Sequence, residues 1–269
     1  MEKDVSKRIL LTVAYDGTAY SGWQIQPQGK TVEGTLNDAL SQLLGQETQV
    51  IGASRTDAGV HALGNRAVFD TTSMIPAEKF SYALNRYLPQ DIRITASKQV
   101  TEDFHPRKVN CEKTYVYRIF NAPFPDPIRR LYSHFTYVPL NVEKMKEAAQ
   151  HFVGTMDFAA VSTFKPEVES TVRTIMQITV EAQAETTGPA EKKHAGMITI
   201  TVRGNGFLYH MVRIIAGTLI DVGCGRLEPE QIPLILETKD REKAGQTAPA
   251  CGLTLQEIVF IPEPEIESD

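Results

Sequence analysis

The chain has 269 residues, 42% hydrophobic and 23% charged, with a net charge of −5. That is enough chain for one large domain or two ordinary ones, and the composition is that of a globular protein, not a disordered one. The mixed-charge N-terminus lacks a following apolar region, and the longest apolar run, Met211–Val222, is short and broken by Arg213 and Asp221; no signal peptide or membrane span is expected, and a cytoplasmic location is.

Arg8–Tyr15 reads as a strand, ended by the turn pair Asp16-Gly17. Thr31–Gly45 reads as a helix: Val32, Leu36, Ala39, Leu40, Leu43 and Leu44 form a stripe, with Thr31 to cap it and Gly45 to stop it. Strands are expected at Thr48–Ala53 and Arg66–Phe69, with a loop between them. A second helix runs from Pro76 to Leu88, before Pro89, and Ile92–Val100 is strand again. The order β-α-β-β-α-β is that of split ferredoxin-like domains.

The second half repeats the pattern loosely. Strands are expected at Lys113–Phe120 and Tyr132–Val138, then a helix over Asn141–Val153 closing at Gly154. Strands at Thr171–Ala184 and Met197–Gly204 flank a polar insert, helices follow over Phe207–Val222 and from Pro229, and Leu255–Phe260 is a last strand. The Glu/Pro-rich tail from about Pro262 is expected to be disordered. The expectation is an α+β protein: two ferredoxin-like or RRM-like halves, mainly antiparallel sheets, a central active-site cleft, and domains at residues 1–104 and 105–269.

Charge is unevenly spread. Residues 228–269 hold ten Asp and Glu against three Lys and Arg, a net −7, whereas residues 1–227 hold 25 basic and 23 acidic groups, a net +2. His105–His134 alone carries a net +4. A polyanion can bind such a chain locally, since fields extend only about 8–10 Å in physiological salt. Cys111, Cys224 and Cys251 stand far apart without CxxC spacing or a His pair, which argues against both a zinc site and a disulfide framework.

Three clusters carry candidate chemistry. Ala53–Ala62 holds Arg55, Asp57, Gly59 and His61 in a loop between strands. Asp57 and Gly59 suit a plain turn, but a loop on a rigid scaffold is also where a catalytic carboxylate sits. In Lys113–Ile119, alternation puts Tyr115, Tyr117 and Ile119 on one face, either as core aromatics or as a stacking platform for a base. In Gly204–Gly217, Arg213 shares with Gly206, His210 and Gly217 the side opposite the main apolar stripe. That side is flanked by Ile214 and Ile220, so Arg213 either pairs with an anion, Asp57 being a candidate, or snorkels to solvent.

Taken in order, these segments resemble the tRNA pseudouridine synthase A family. Arg55-Thr-Asp-Ala-Gly-Val-His61 is similar to its catalytic loop. Tyr15-Asp-Gly17, Gly22-Trp-Gln24, Leu88-Pro89, Asp103-Phe-His105, Lys113-Thr-Tyr-Val-Tyr117, Phe207–Arg213 and Gly252-Leu253 match its other signatures. The resemblance spans about Leu10 to Phe260. It implies that Asp57 is the catalytic aspartate and that Arg55 helps hold the target nucleotide out of its stem. It also implies that Tyr115 packs on the uracil and Arg213 pairs with Asp57, with His61 on the same loop as a further substrate-binding candidate. The implied reaction isomerises uridine at positions 38, 39 and 40 of the tRNA anticodon arm, without cofactor or metal, in a homodimer. Departures fall at Pro106, Lys108, Asn110 and Cys251, and bear on substrate range. Two rivals are weighed: a non-catalytic RRM-like RNA-binding module, which has no need of the Asp57 loop, and a hydrolase with a second carboxylate from Asp16, Asp70 or Asp103.

Overall fold

A computed structural model describes residues 6–165, 169–183 and 194–264. The chain packs as two compact units. One is built from the chain up to Glu112 together with the segment from Leu255; the other is Lys113–Thr254. The fold is mixed, mostly antiparallel sheet with helices, as the α+β expectation has it.

In the first unit, β1 (Lys7–Tyr15) pairs antiparallel with β3 (His61–Thr71) on one side and β4 (Ile92–Val100) on the other. A two-residue β2 (Ile51–Gly52) and the C-terminal β10 (Leu253–Ile261) also pair with β3. Helix α1 (Val32–Leu44) has the predicted ends: Thr31 Oγ1 accepts from the Gly34 amide, and Gly45 closes it in the left-handed region at φ 69°. Its stripe, Val32, Leu36, Ala39 and Leu40, is buried. Helix α2 covers only Phe80–Leu84, shorter than the pattern predicts. Just past it, Asn85 exchanges two side-chain hydrogen bonds with the Ile94 backbone, at 2.8 and 2.9 Å, so the chain is drawn toward β4 before Pro89 is reached. Strand β3 is longer than expected because its register against β1 continues to Tyr15↔Ala62.

In the second unit, β5 (Asn110–Asn121), β9 (Gly196–Gly204), β8 (Val172–Gln183) and β7 (Gly154–Asp157) pair in that order, antiparallel at β5–β9, β9–β8 and β8–β7. A short β6 (His134–Thr136) adds parallel to β5. Alternation on β9 buries Ile198, Ile200 and Val202. Helix α3 (Val142–Gln150) is capped by Asn141 and buries Met145, Ala148 and Ala149. Two corrections arise here. Residues 154–157 form a strand that the sequence pattern does not reveal, since Gly154 at φ 127° both ends the helical region and starts β7. Helix α4 (Met211–Gly223) begins four residues later than expected, because His210 sits in the left-handed region at φ 62° and breaks helical geometry. Helix α5 spans Gln231–Thr238. Residues 184–193, which hold Ala184 and most of the polar insert, and the tail from 265 lie outside the described residues.

Candidate active site

The loop between β2 and β3 carries Arg55 and Asp57 and runs into His61, the first residue of β3. Asp57-Ala-Gly-Val60 is a hydrogen-bonded turn, Val60 N–H donating to the Asp57 carbonyl at 3.1 Å, with Gly59 supplying the positive φ of 77°. The loop is tied down from the segment after β1: Trp23 N–H donates to the Thr56 carbonyl at 3.0 Å and Gly59 N–H to the Tyr20 carbonyl at 3.2 Å. Gly22 is needed for this approach. Its φ is 95°, and a Cβ there would stand 2.6 Å from the Thr56 carbonyl oxygen.

Side chains lock the same loop from beneath. The Thr56 hydroxyl pairs with the Tyr15 hydroxyl, and Asn65 Nδ2 donates to the Ser54 carbonyl at 3.0 Å and to the Tyr15 oxygen at 3.3 Å. Tyr15, Ser54, Thr56 and Asn65 are all buried. Arg55 is exposed and Asp57 half-buried, on a backbone held by fixed bonds. His61 is buried at 5% exposure. Its Nδ1 lies 3.1 Å from the Gly17 amide and 3.1 Å from Asp16 Oδ1. These two contacts need opposite states of that nitrogen: bare, it accepts from Gly17; protonated, it donates to Asp16. The Gly17 amide N–H is a fixed donor to this nitrogen, and Asp16 Oδ1 already accepts from the Thr18 amide at 2.9 Å.

Tyr115 and Arg213 belong to the second unit. Tyr115 is buried at 7% and meets Phe207 edge-on, centroids 5.2 Å apart. Arg213, in the first turn of α4, is half-buried among fully buried neighbours. Its Nε donates to the Ala248 carbonyl at 2.8 Å, while Ala248 N–H donates to the Arg213 carbonyl at 3.1 Å. The segment 244–249 thus covers the second side of α4. Gly217 permits this closeness, since a Cβ there would stand 1.8 Å from the Gln246 oxygen. Beside it, the Tyr117 hydroxyl donates to the Pro249 carbonyl at 2.9 Å. Burial raises the Tyr117 phenol far above its ordinary value; the nearby Cys251 adds to this and Arg213 opposes it. The Cys251 thiol is also pushed up, chiefly by burial, so it is no ready nucleophile.

Sequence reasoning on residue types missed Tyr15, Thr56 and Asn65 as loop supports, since nothing local marks a strand tyrosine or asparagine as a cross-brace. The three cysteines are free. Among the described residues no cluster of three or more His, Cys, Asp or Glu side chains could hold a metal, and no helix is long and apolar enough to cross a membrane.

Comparison with known proteins agrees over most of the chain. The tRNA pseudouridine synthase family matches residues 11–107 and 148–260. The chain is 49% identical over 254 residues to tRNA pseudouridine synthase A of Ruminiclostridium cellulolyticum, covering 94% of this chain and 100% of that one. It is 45% identical over 258 residues to tRNA pseudouridine synthase A 2 of Clostridium tetani (95% and 100% covered), and 42% identical over 254 residues to the synthase A of Caldicellulosiruptor bescii (94% and 100%). Among solved structures, a Cbf5–Nop10–Gar1 complex superposes with a TM-score of 0.30 at 13% identity, covering 98% of this chain and 61% of that one, too weak a likeness for any argument. The sequence matches suffice: this chain belongs to the tRNA pseudouridine synthase family.

Proposed function

We propose that this protein isomerises uridine to pseudouridine in the anticodon arm of tRNA, at positions 38, 39 and 40, with Asp57 as the catalytic carboxylate. The observation that carries this is the turn bearing Asp57, in a loop braced through Tyr15, Thr56, Asn65 and the Trp23 and Gly59 amides. Such bracing holds a reacting group in place without reorganisation during the reaction.

In this reaction the N1–C1′ bond of uridine breaks, the uracil turns, and a C5–C1′ bond forms. C5 loses a proton and N1 gains one, so redox balance is unchanged and no co-reactant is consumed. Asp57 acts in its ionised form, which a guanidinium from Arg213 would stabilise. Tyr115 stacks on the uracil. Arg55, exposed and two residues before Asp57, helps hold the target nucleotide out of its stem and offsets part of the few kcal/mol that unstacking costs. His61 supports the loop from beneath through Gly17.

The order β4-β1-β3-β2 with α1 and α2 in the first unit supports a split ferredoxin-like half. We further propose a second such half, a cleft between them, domains at about 1–104 and 105–269, a homodimer that grips tRNA with both subunits, and a cytoplasmic setting. A site-resolved pseudouridine map of tRNA incubated with wild type and Asp57→Asn tests the activity. Loss of modification at positions 38–40 in the variant is expected. Modification that persists in it removes Asp57 from the mechanism, and release of free uracil indicates hydrolysis instead. Light scattering should give about twice the 29.9 kDa chain mass; a monomeric mass excludes the dimer.

A further inference from the structure

Beside the Asp57 loop stands a second arginine that the reaction outlined above does not use. Arg107 lies between β4 and β5, and its Nε donates to the Gly52 carbonyl at 2.7 Å. This bond fixes the guanidinium against β2, three residues before Arg55. Its other four N–H donors, on the terminal nitrogens, have no hydrogen-bond partner among the described residues, and Arg55 makes neither a hydrogen bond nor an ion pair there. Both residues are exposed as wholes, while the Arg107–Gly52 hydrogen bond is part-buried.

Gly52, to which Arg107 is bonded, stands three residues before Arg55, and the positive charge of Arg55 acts on Arg107. Burial and then Arg55 hold the Arg107 guanidinium below its ordinary value, and the opposing pull of Glu33 is the weakest of the three influences. Glu33 is in any case occupied, its Oε2 accepting from the Ile25 amide at 3.0 Å. A chain gains nothing internally from holding two arginines together with no carboxylate engaged by either. The arrangement becomes favourable when an anion with several acceptor oxygens arrives, and a guanidinium fork with one nitrogen already anchored is pre-oriented to receive it.

We infer that Arg55 and Arg107 together grip one backbone phosphate of the RNA, beside the nucleotide presented to Asp57. The inference rests on the proposed tRNA activity and adds to it the site that sets the register of the strand. A phosphate grip positions the substrate without reading sequence.

The test uses anticodon stem-loop RNAs in which single phosphates are replaced by uncharged methylphosphonates, bound to wild type, Arg107→Gln and Arg107→Lys over a salt series. Arg107→Gln should bind about tenfold more weakly, with a salt dependence shallower by about one ion, and Arg107→Lys should keep the wild-type slope. One methylphosphonate position should weaken wild type about tenfold and leave Arg107→Gln unchanged. A purely structural role for the Gly52 bond would lower stability without singling out a phosphate. Should Arg107→Gln fold poorly, Arg55→Gln must couple to the same position. Equal penalties at every position in wild type and variants, or an unaltered salt slope in Arg107→Gln, overturn the grip. A wild type that forms pseudouridine without this coupling overturns only the grip, whereas one that neither binds nor modifies the stem-loop overturns the proposed activity.

Discussion

The hydroxyls of Tyr15 and Thr56 lie 2.7 Å apart, and both residues are buried. Tyr15 ends β1 and Thr56 precedes Asp57, so a strand terminus is fastened to the loop that carries the candidate catalytic group. With Asn65 also donating to Tyr15, Tyr15→Phe leaves two buried polar groups short of a partner. It should destabilise the protein by about 1–3 kcal/mol and reduce turnover more than tRNA affinity. Urea melts and single-turnover assays check both, and an unchanged rate would mean that the brace is irrelevant to catalysis.

Gly22→Ala attacks the same loop through the backbone. An alanine at φ 95° is strained, and its Cβ would press on the Thr56 oxygen at 2.6 Å. A loss of about 1–3 kcal/mol is expected together with a large loss of activity. Gly45→Ala, also at positive φ but with nothing within 4 Å, serves as the control and should cost stability with activity retained.

Asp57→Asn keeps the shape of the turn, whose hydrogen bond uses the Asp57 backbone carbonyl. The tRNA affinity should be nearly unchanged, while pseudouridine formation is lost. Carbodiimide mapping with a filter-binding assay separates the two readouts.

Alkaline pH should expose the buried phenol of Tyr117. Its folded value is raised, so the folded protein holds this proton where the unfolded chain releases it. The stability is therefore fully present below the unfolded value of about 10 and declines as pH rises above it toward the folded value. Denaturant melts between about pH 9 and 11.5 should show a steeper decline in wild type than in Tyr117→Phe. Parallel slopes would show that this phenol titrates alike in both states.

Elements with a complete local code were legible from the chain alone. Thr31 to Gly45 carries its own cap, stripe and stop, and β9 its own alternation, because neighbours a few residues apart settle those choices. The turn at Asp57–Val60 was readable for the same reason: Gly59 is the residue that its φ demands. Tertiary packing decided the rest. Tyr15 stands 41 residues from Thr56 and 50 from Asn65 in the chain, a separation bridged only when β1 pairs with β3, and His210 takes its left-handed φ against the helical periodicity around it. Arg107 reads as one more charge in a basic stretch until folding sets it against Gly52, because a long-range hydrogen bond has no signature in the residues on either side of it.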